Sequence, residues 1–132
     1  MPMTHFVRIR TQVEGLHRWP QATAPDAYLG SAHRHLFVAE LDIEVFHDDR
    51  EIEINALTRW LTELLPIFGA PNRGSGEPVD FGAQSCEQLA TRLACEVLDR
   101  FGHHRWMRCA VLEDGILGGG IDCQPDQADP TR

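Results

Sequence analysis

The chain has 132 residues and a formal net charge of −8, with 42% hydrophobic and 24% charged residues. An acidic balance of that size excludes broad binding to nucleic acid or to an anionic membrane surface, since both need a basic face. No apolar run approaches the roughly 18 residues of a membrane span.

All 12 basic residues are arginine, which excludes a lysine Schiff base. The four cysteines, Cys86, Cys95, Cys109 and Cys123, are widely spaced with no C-x-x-C pair. They read as free, mostly buried thiols, and a zinc site built on cysteine is not expected. Met1-Pro-Met-Thr-His-Phe6 has no basic segment followed by an apolar one, so no signal peptide is expected and a soluble cytoplasmic protein is the default. The length fits one domain, placed at residues 1–123.

Phe6–Val13 alternates apolar and polar residues, with Val7, Ile9, Thr11 and Val13 on one face, and reads as a strand running on to His17. His17 shares their parity. Arg18–Ala32, with Trp19-Pro20, Pro25-Asp26 and Gly30-Ser31, reads as a long loop, and loops of that length in a small domain are more often functional than idle. Ser31–Phe46 is the longest alternating stretch. Its entry histidines, His33 and His35, share a face with Phe37, Ala39, Leu41, Ile43 and Val45, because strand side chains alternate with period two. Two imidazoles thus begin the face that otherwise goes to the core.

After a turn at His47–Arg50, Asn55 is a helix N-cap and Leu57, Trp60, Leu61, Leu64 and Leu65 recur at helical spacing up to Pro66. Gly69–Gly82 is a second Gly/Pro-rich loop. Ser85-Cys-Glu-Gln88 fits a capping box, followed by a buried stripe from Leu89 to Phe101 and Gly102 at the end. Arg105–Glu113 is a third strand, Asp114-Gly115 a hairpin turn, and Ile116–Cys123 a fourth strand weakened by Gly118-Gly-Gly120. Residues 124–132 are polar, proline-bearing and expected to be a disordered tail. The order is ββααββ, an α+β domain with two helices on one face of a four-stranded antiparallel sheet.

Three constellations carry chemistry. His33 and His35 project side by side from a strand, and His17 from its neighbour can complete a facial three-nitrogen site with an open fourth position, suited to zinc. The same pattern also fits imidazoles held by ordinary hydrogen bonds at a strand end. Glu113 ends the apolar face of the third strand, where a carboxylate can take a bidentate hydrogen bond from the N–H edge of a heterocycle, or simply sit in solvent. Ser85 and Cys86 start the second helix: backbone N–H groups there can receive a ligand atom, Ser85 can be a cap and nothing more, and Cys86 can be a reactive thiol.

Five pieces stand in order along the chain: Leu16-His17-Arg18, His33-Arg34-His35, Ile52-Glu-Ile-Asn-Ala-Leu57, Gln84-Ser-Cys-Glu-Gln-Leu-Ala90 and Val111-Leu-Glu-Asp114. Together they resemble the 6-pyruvoyltetrahydropterin synthase/6-carboxytetrahydropterin synthase family, tunnelling-fold enzymes acting on dihydroneopterin triphosphate, over Phe6 to about Ile121. The resemblance implies zinc held by His17, His33 and His35, and a pterin ring anchored by Glu113 with backbone near Ser85 and Cys86. It further implies a homo-oligomer, trimeric or hexameric, with the pocket between subunits.

The departures lie in the acid/base machinery. The position of the family's general-base cysteine is Leu29, and the loop between the helices holds Asp80 but no histidine. The resemblance therefore implies a zinc protein of the pterin or deazapurine (queuosine-type) pathways, lyase-like but with altered proton chemistry. Its base would be Asp26, Asp80, Cys86 or a metal-bound hydroxide. The alternatives are a non-catalytic pterin- or purine-binding protein and a zinc-stabilised structural or assembly protein.

Overall fold

A computed structural model describes residues 3–70 and 78–126. The elements run β1 (His5–His17), a 3-10 turn (Ala27–Gly30), β2 (His33–Val45), α1 (Ile54–Leu64), a second 3-10 turn (Leu65–Phe68), β3 (Val79–Asp80), α2 (Cys86–Phe101), β4 (Met107–Glu113) and β5 (Leu117–Cys123). The strand order is β3-β1-β2-β4-β5. β1–β2, β2–β4 and β4–β5 are antiparallel, while β3 runs parallel to β1.

The four-stranded antiparallel ββααββ tunnelling-fold sheet expected from the sequence is therefore corrected to a five-stranded mixed one. The extra strand comes from the Gly/Pro-rich loop between the helices. Val79 and Asp80 lie beside Gly15 and Leu16, and the Phe81 N–H donates to the Leu16 carbonyl at 2.8 Å. Two residues are too few to show period-two alternation, so the strand has no pattern of its own; its one cue is Val79-Asp-Phe81, an apolar pair amid glycine and proline. Of that loop, 71–77 lie outside the described residues, as do 127–132 of the expected tail.

Alternation decides which way the sheet faces. Phe37, Ala39, Leu41 and Ile43 of β2 join Ile9 of β1, with Met107, Cys109 and Val111 of β4, in one buried cluster. The opposite face carries paired charges: Arg8 with Asp42 at 2.7 Å, Arg10 with Glu40, and Arg108 with Asp122 at 2.8 Å. Both helices close the apolar face with the stripes their spacing predicts, Leu57, Leu61 and Leu64 in α1, and Leu89, Ala90, Leu93, Ala94 and Val97 in α2. The cap of α1 is Glu53 rather than Asn55: its carboxylate accepts the Ala56 N–H at 2.5 Å, and Asn55 Nδ2 donates to it at 2.9 Å. An acid at that position also suits the positive end of the helix dipole. α2 carries the full capping box, with Ser85 Oγ accepting from Gln88 N and Gln88 Oε1 from Ser85 N.

Gly15 lets the two layers approach at the site end of the sheet. A Cβ there would stand 2.6 Å from the Phe81 ring and 2.7 Å from the Phe37 ring. These two rings meet edge to face at a centroid distance of 4.9 Å, and Phe37 is fully buried beneath the histidines. Overpacking a closed core costs roughly 1–3 kcal/mol. Gly15→Ala should lower stability by about that amount, read as a reduced urea midpoint at unchanged slope; an unchanged midpoint would contradict this packing.

Candidate metal centre and its cleft

The register of β1 on β2 sets His17 directly opposite His33 and Gly15 opposite His35. With parity fixed by Phe37 and the core, all three imidazoles emerge on the helix side of the sheet. Their ring centroids lie 4.6 Å (His17–His33), 5.2 Å (His17–His35) and 5.0 Å (His33–His35) apart, with the planes steeply inclined at 66–87°. One ligand nitrogen from each ring lies within 4.8 Å of the other two. These three histidines can hold a metal ion.

The outer nitrogens are occupied. His33 Nδ1 lies 2.9 Å from the Ser31 carbonyl, His35 Nδ1 2.8 Å from Asp114 Oδ2, and His17 Nδ1 a longer 3.5 Å from the Gln84 carbonyl. A carbonyl or carboxylate only accepts, so each neutral ring carries its proton on Nδ1 and keeps a lone pair on Nε2. Nε2 of His17 and of His35 are buried and have no hydrogen-bond partner. Glu113 approaches both, at 3.0 Å and 3.5 Å, but neither contact is aligned as a hydrogen bond. Buried polar atoms left unmatched need a physical reason, and a cation among them is the simplest. Three imidazole nitrogens suit zinc, copper, nickel or iron rather than magnesium or calcium. His17 is held below the ordinary histidine pKa, mainly by burial, with Glu113 opposing and His33 adding to the shift. That favours the neutral, metal-binding form.

Glu113 closes β4 opposite Phe37 and is 28% exposed at its side chain. It lines a cleft of about 420 Å³ together with His17, His33, Ser85 and Cys86. The five residues therefore meet in one place, and His35 adjoins them. The roles left open in the sequence resolve unequally. Ser85 is the helix cap, with its own N–H taken by Gln88, so the first-turn N–H groups outside the box are those of Cys86 and Glu87. Of the two readings of Cys86, the raised pKa favours an inert thiol: burial, with Glu113 and Glu87 adding, pushes it up to about 12. Asp26 and Asp80 are absent from the cleft lining. Asp26 stands before the 3-10 turn, and Asp80 Oδ1 accepts the Gly82 N–H at 2.8 Å.

Several lining residues carried no signal. Trp19, seen in the sequence as part of a loop signal, stands 49% exposed on the cleft wall beside Leu29, whose carbonyl accepts the Trp19 backbone N–H at 2.7 Å. Glu87 enters because β5 comes close: a Cβ on Gly119 would stand 2.7 Å from Glu87 Cγ. Gly119, the middle of the triple glycine read from the sequence as a weakness, is what lets β5 pass under the first turn of α2. Gln84 ties the floor together, donating through Nε2 to the Phe68 and Phe81 carbonyls while its Oε1 accepts from Arg92.

No family model matches the chain and no curated protein matches it. Among the described residues no helix is long and apolar enough to cross a membrane.

With its thiol held protonated, Cys86 should resist iodoacetamide through pH 10, whereas exposed Cys95 is labelled at pH 8. Peptide mass mapping of the native protein reads both sites. Labelling of Cys86 at pH 8 at the rate of Cys95 would contradict the burial described.

Proposed function

We propose that the chain holds zinc at His17, His33 and His35 and uses the adjoining cleft to bind a pterin- or deazapurine-like metabolite such as dihydroneopterin triphosphate. The observation that carries this reading is the pair of buried, unmatched Nε2 atoms facing a carboxylate at the mouth of a cleft. The five motifs shared in order with the 6-pyruvoyltetrahydropterin synthase/6-carboxytetrahydropterin synthase family support it. Zinc, when bound, supplies a Lewis acid for hydroxyl or carbonyl oxygens of a substrate side chain. The chain's own groups do the rest. Glu113 takes two N–H donors from the edge of a heterocycle, which fixes the ring's orientation. Trp19 and Leu29 give the ring an apolar wall, and Cys86 and Glu87, whose N–H groups lie outside the capping box, line the cleft at a helix N-terminus.

Proton chemistry favours a second reading beside the enzymatic one. Leucine stands at position 29, and the Cys86 thiol does not ionise near neutral pH. A lyase-type reaction needs a base within hydrogen-bond reach of the proton removed, and Glu87 is the carboxylate besides Glu113 on the lining. A chain that binds the ring without turning it over fits the same groups.

Metal analysis tests the centre. The wild-type chain should carry about one zinc, and His33→Ala/His35→Ala none; zinc at a hundredfold excess over its dissociation constant should add about 2.7 kcal/mol of stability. Equal, negligible zinc in both proteins would end the metal reading. Incubation with dihydroneopterin triphosphate and mass analysis then separates the rest. A changed mass means turnover. Unchanged substrate that raises the melting temperature of the wild type but not of Glu113→Ala means binding alone, and neither effect would reject the ligand class.

A further inference from the structure

Asp114 does more than turn the chain. It sits at φ 56°, followed by Gly115 at φ 72°, a left-handed pair in the three-residue turn between Glu113 of β4 and Leu117 of β5. Its backbone N–H donates to the Leu36 carbonyl at 2.7 Å. Continuing the β2–β4 ladder past Phe37 and Glu113 would next pair the Leu36 N–H with a carbonyl of residue 114. The side chain takes the place of that carbonyl: Asp114 Oδ1 accepts the Leu36 N–H at 2.9 Å. The second oxygen, Oδ2, is then held 2.8 Å from His35 Nδ1.

Of the three imidazoles, His35 is the one whose outer nitrogen meets a side-chain carboxylate; the other two meet backbone carbonyls, which no substitution of a side chain removes. We propose that Asp114 is the positioning residue of the metal centre: it keeps the His35 proton on Nδ1 and so keeps the Nε2 lone pair directed at the cation. The proposal rests on the reading of the histidine cluster as a zinc site. Outer-sphere carboxylates of this kind fix the tautomer and orientation of a ligand imidazole and raise its basicity.

The carboxylate serves two donors at once, and that makes the role testable. Asparagine adopts the left-handed turn readily, but its amide presents an oxygen to one donor only. The Leu36 N–H cannot change, whereas an imidazole can move its proton. In Asp114→Asn the amide oxygen therefore keeps Leu36, the amide NH2 faces His35 Nδ1, and the ring shifts to the Nε2–H tautomer, which has no lone pair to offer the metal.

The experiment compares wild type with Asp114→Asn, metal-free and zinc-titrated. In the metal-free proteins, two-bond 1H–15N correlation of 15N-labelled histidine should find His35 as the Nδ1–H tautomer in the wild type and as Nε2–H in the variant. Competition with a chromophoric chelator should give zinc affinity 10–100-fold lower in the variant, with the melting temperature of the metal-free protein unchanged. An unchanged tautomer, equal zinc affinities, or a fall in affinity matched by a fall in metal-free melting temperature would each overturn the positioning role. A wild type that binds no zinc removes the metal reading and this proposal with it. A wild type that binds zinc as tightly as the variant removes this proposal alone.

Discussion

β1 and β2 pair along thirteen residues without a bulge, from His5 opposite Val45 to His17 opposite His33, and everything at the site depends on that register. Strand side chains alternate, so a slip of one residue would send His17 to the charged face while Phe37 and Leu41 still held His33 and His35 toward the core. The core therefore does the positioning. Phe37 is wholly buried two residues beyond His35 and touches His17 edge to face at a centroid distance of 5.0 Å. A histidine cluster at the end of an apolar face inherits the rigidity of the face, which is what a candidate metal site with little tolerance for misplaced ligands requires.

The surroundings of the three rings work in one direction. Their outer nitrogens meet acceptors, the inner nitrogens of His17 and His35 are buried without a hydrogen-bond partner, and burial favours the neutral form of His17. Around this cluster the chain spends residues on closeness. Gly15 admits Phe81 from the inter-helix loop, and Gly119 admits the first turn of α2 over β5. The cleft is the space left between the loop, the helix start and the strand ends, and its walls come from segments far apart in sequence. The same closeness sets its chemistry, since it buries the Cys86 thiol next to Glu113 and Glu87 and leaves the cleft without an ionised sulfur.

Periodicity was enough to find the four long strands, both helices, the capping box at Ser85 and the shared face of His17, His33 and His35. Each is a repeating pattern over many residues or a local motif with a fixed spacing. The fifth strand was not legible, because Val79-Asp80 is placed by contact with β1 and not by any preference of its own. Glu53 displaced Asn55 as a cap for a similar reason: several polar residues near the helix start can cap, and the path of the incoming chain selects one. Asp114 read as a turn residue, and it is one; its second oxygen finds His35 only because β2 and β4 are neighbours. Tertiary proximity, rather than composition, supplied Trp19, Gln84 and Glu87 to the cleft.

Three imidazoles from two adjacent strand ends stand close enough to share one cation. Crystals of the zinc-loaded chain, measured on either side of the zinc absorption edge, test it directly. A single anomalous peak is expected about 2.0–2.1 Å from Nε2 of His17, His33 and His35. A peak elsewhere on the molecule, or one coordinated by His33 and His35 while His17 stays apart, would contradict it.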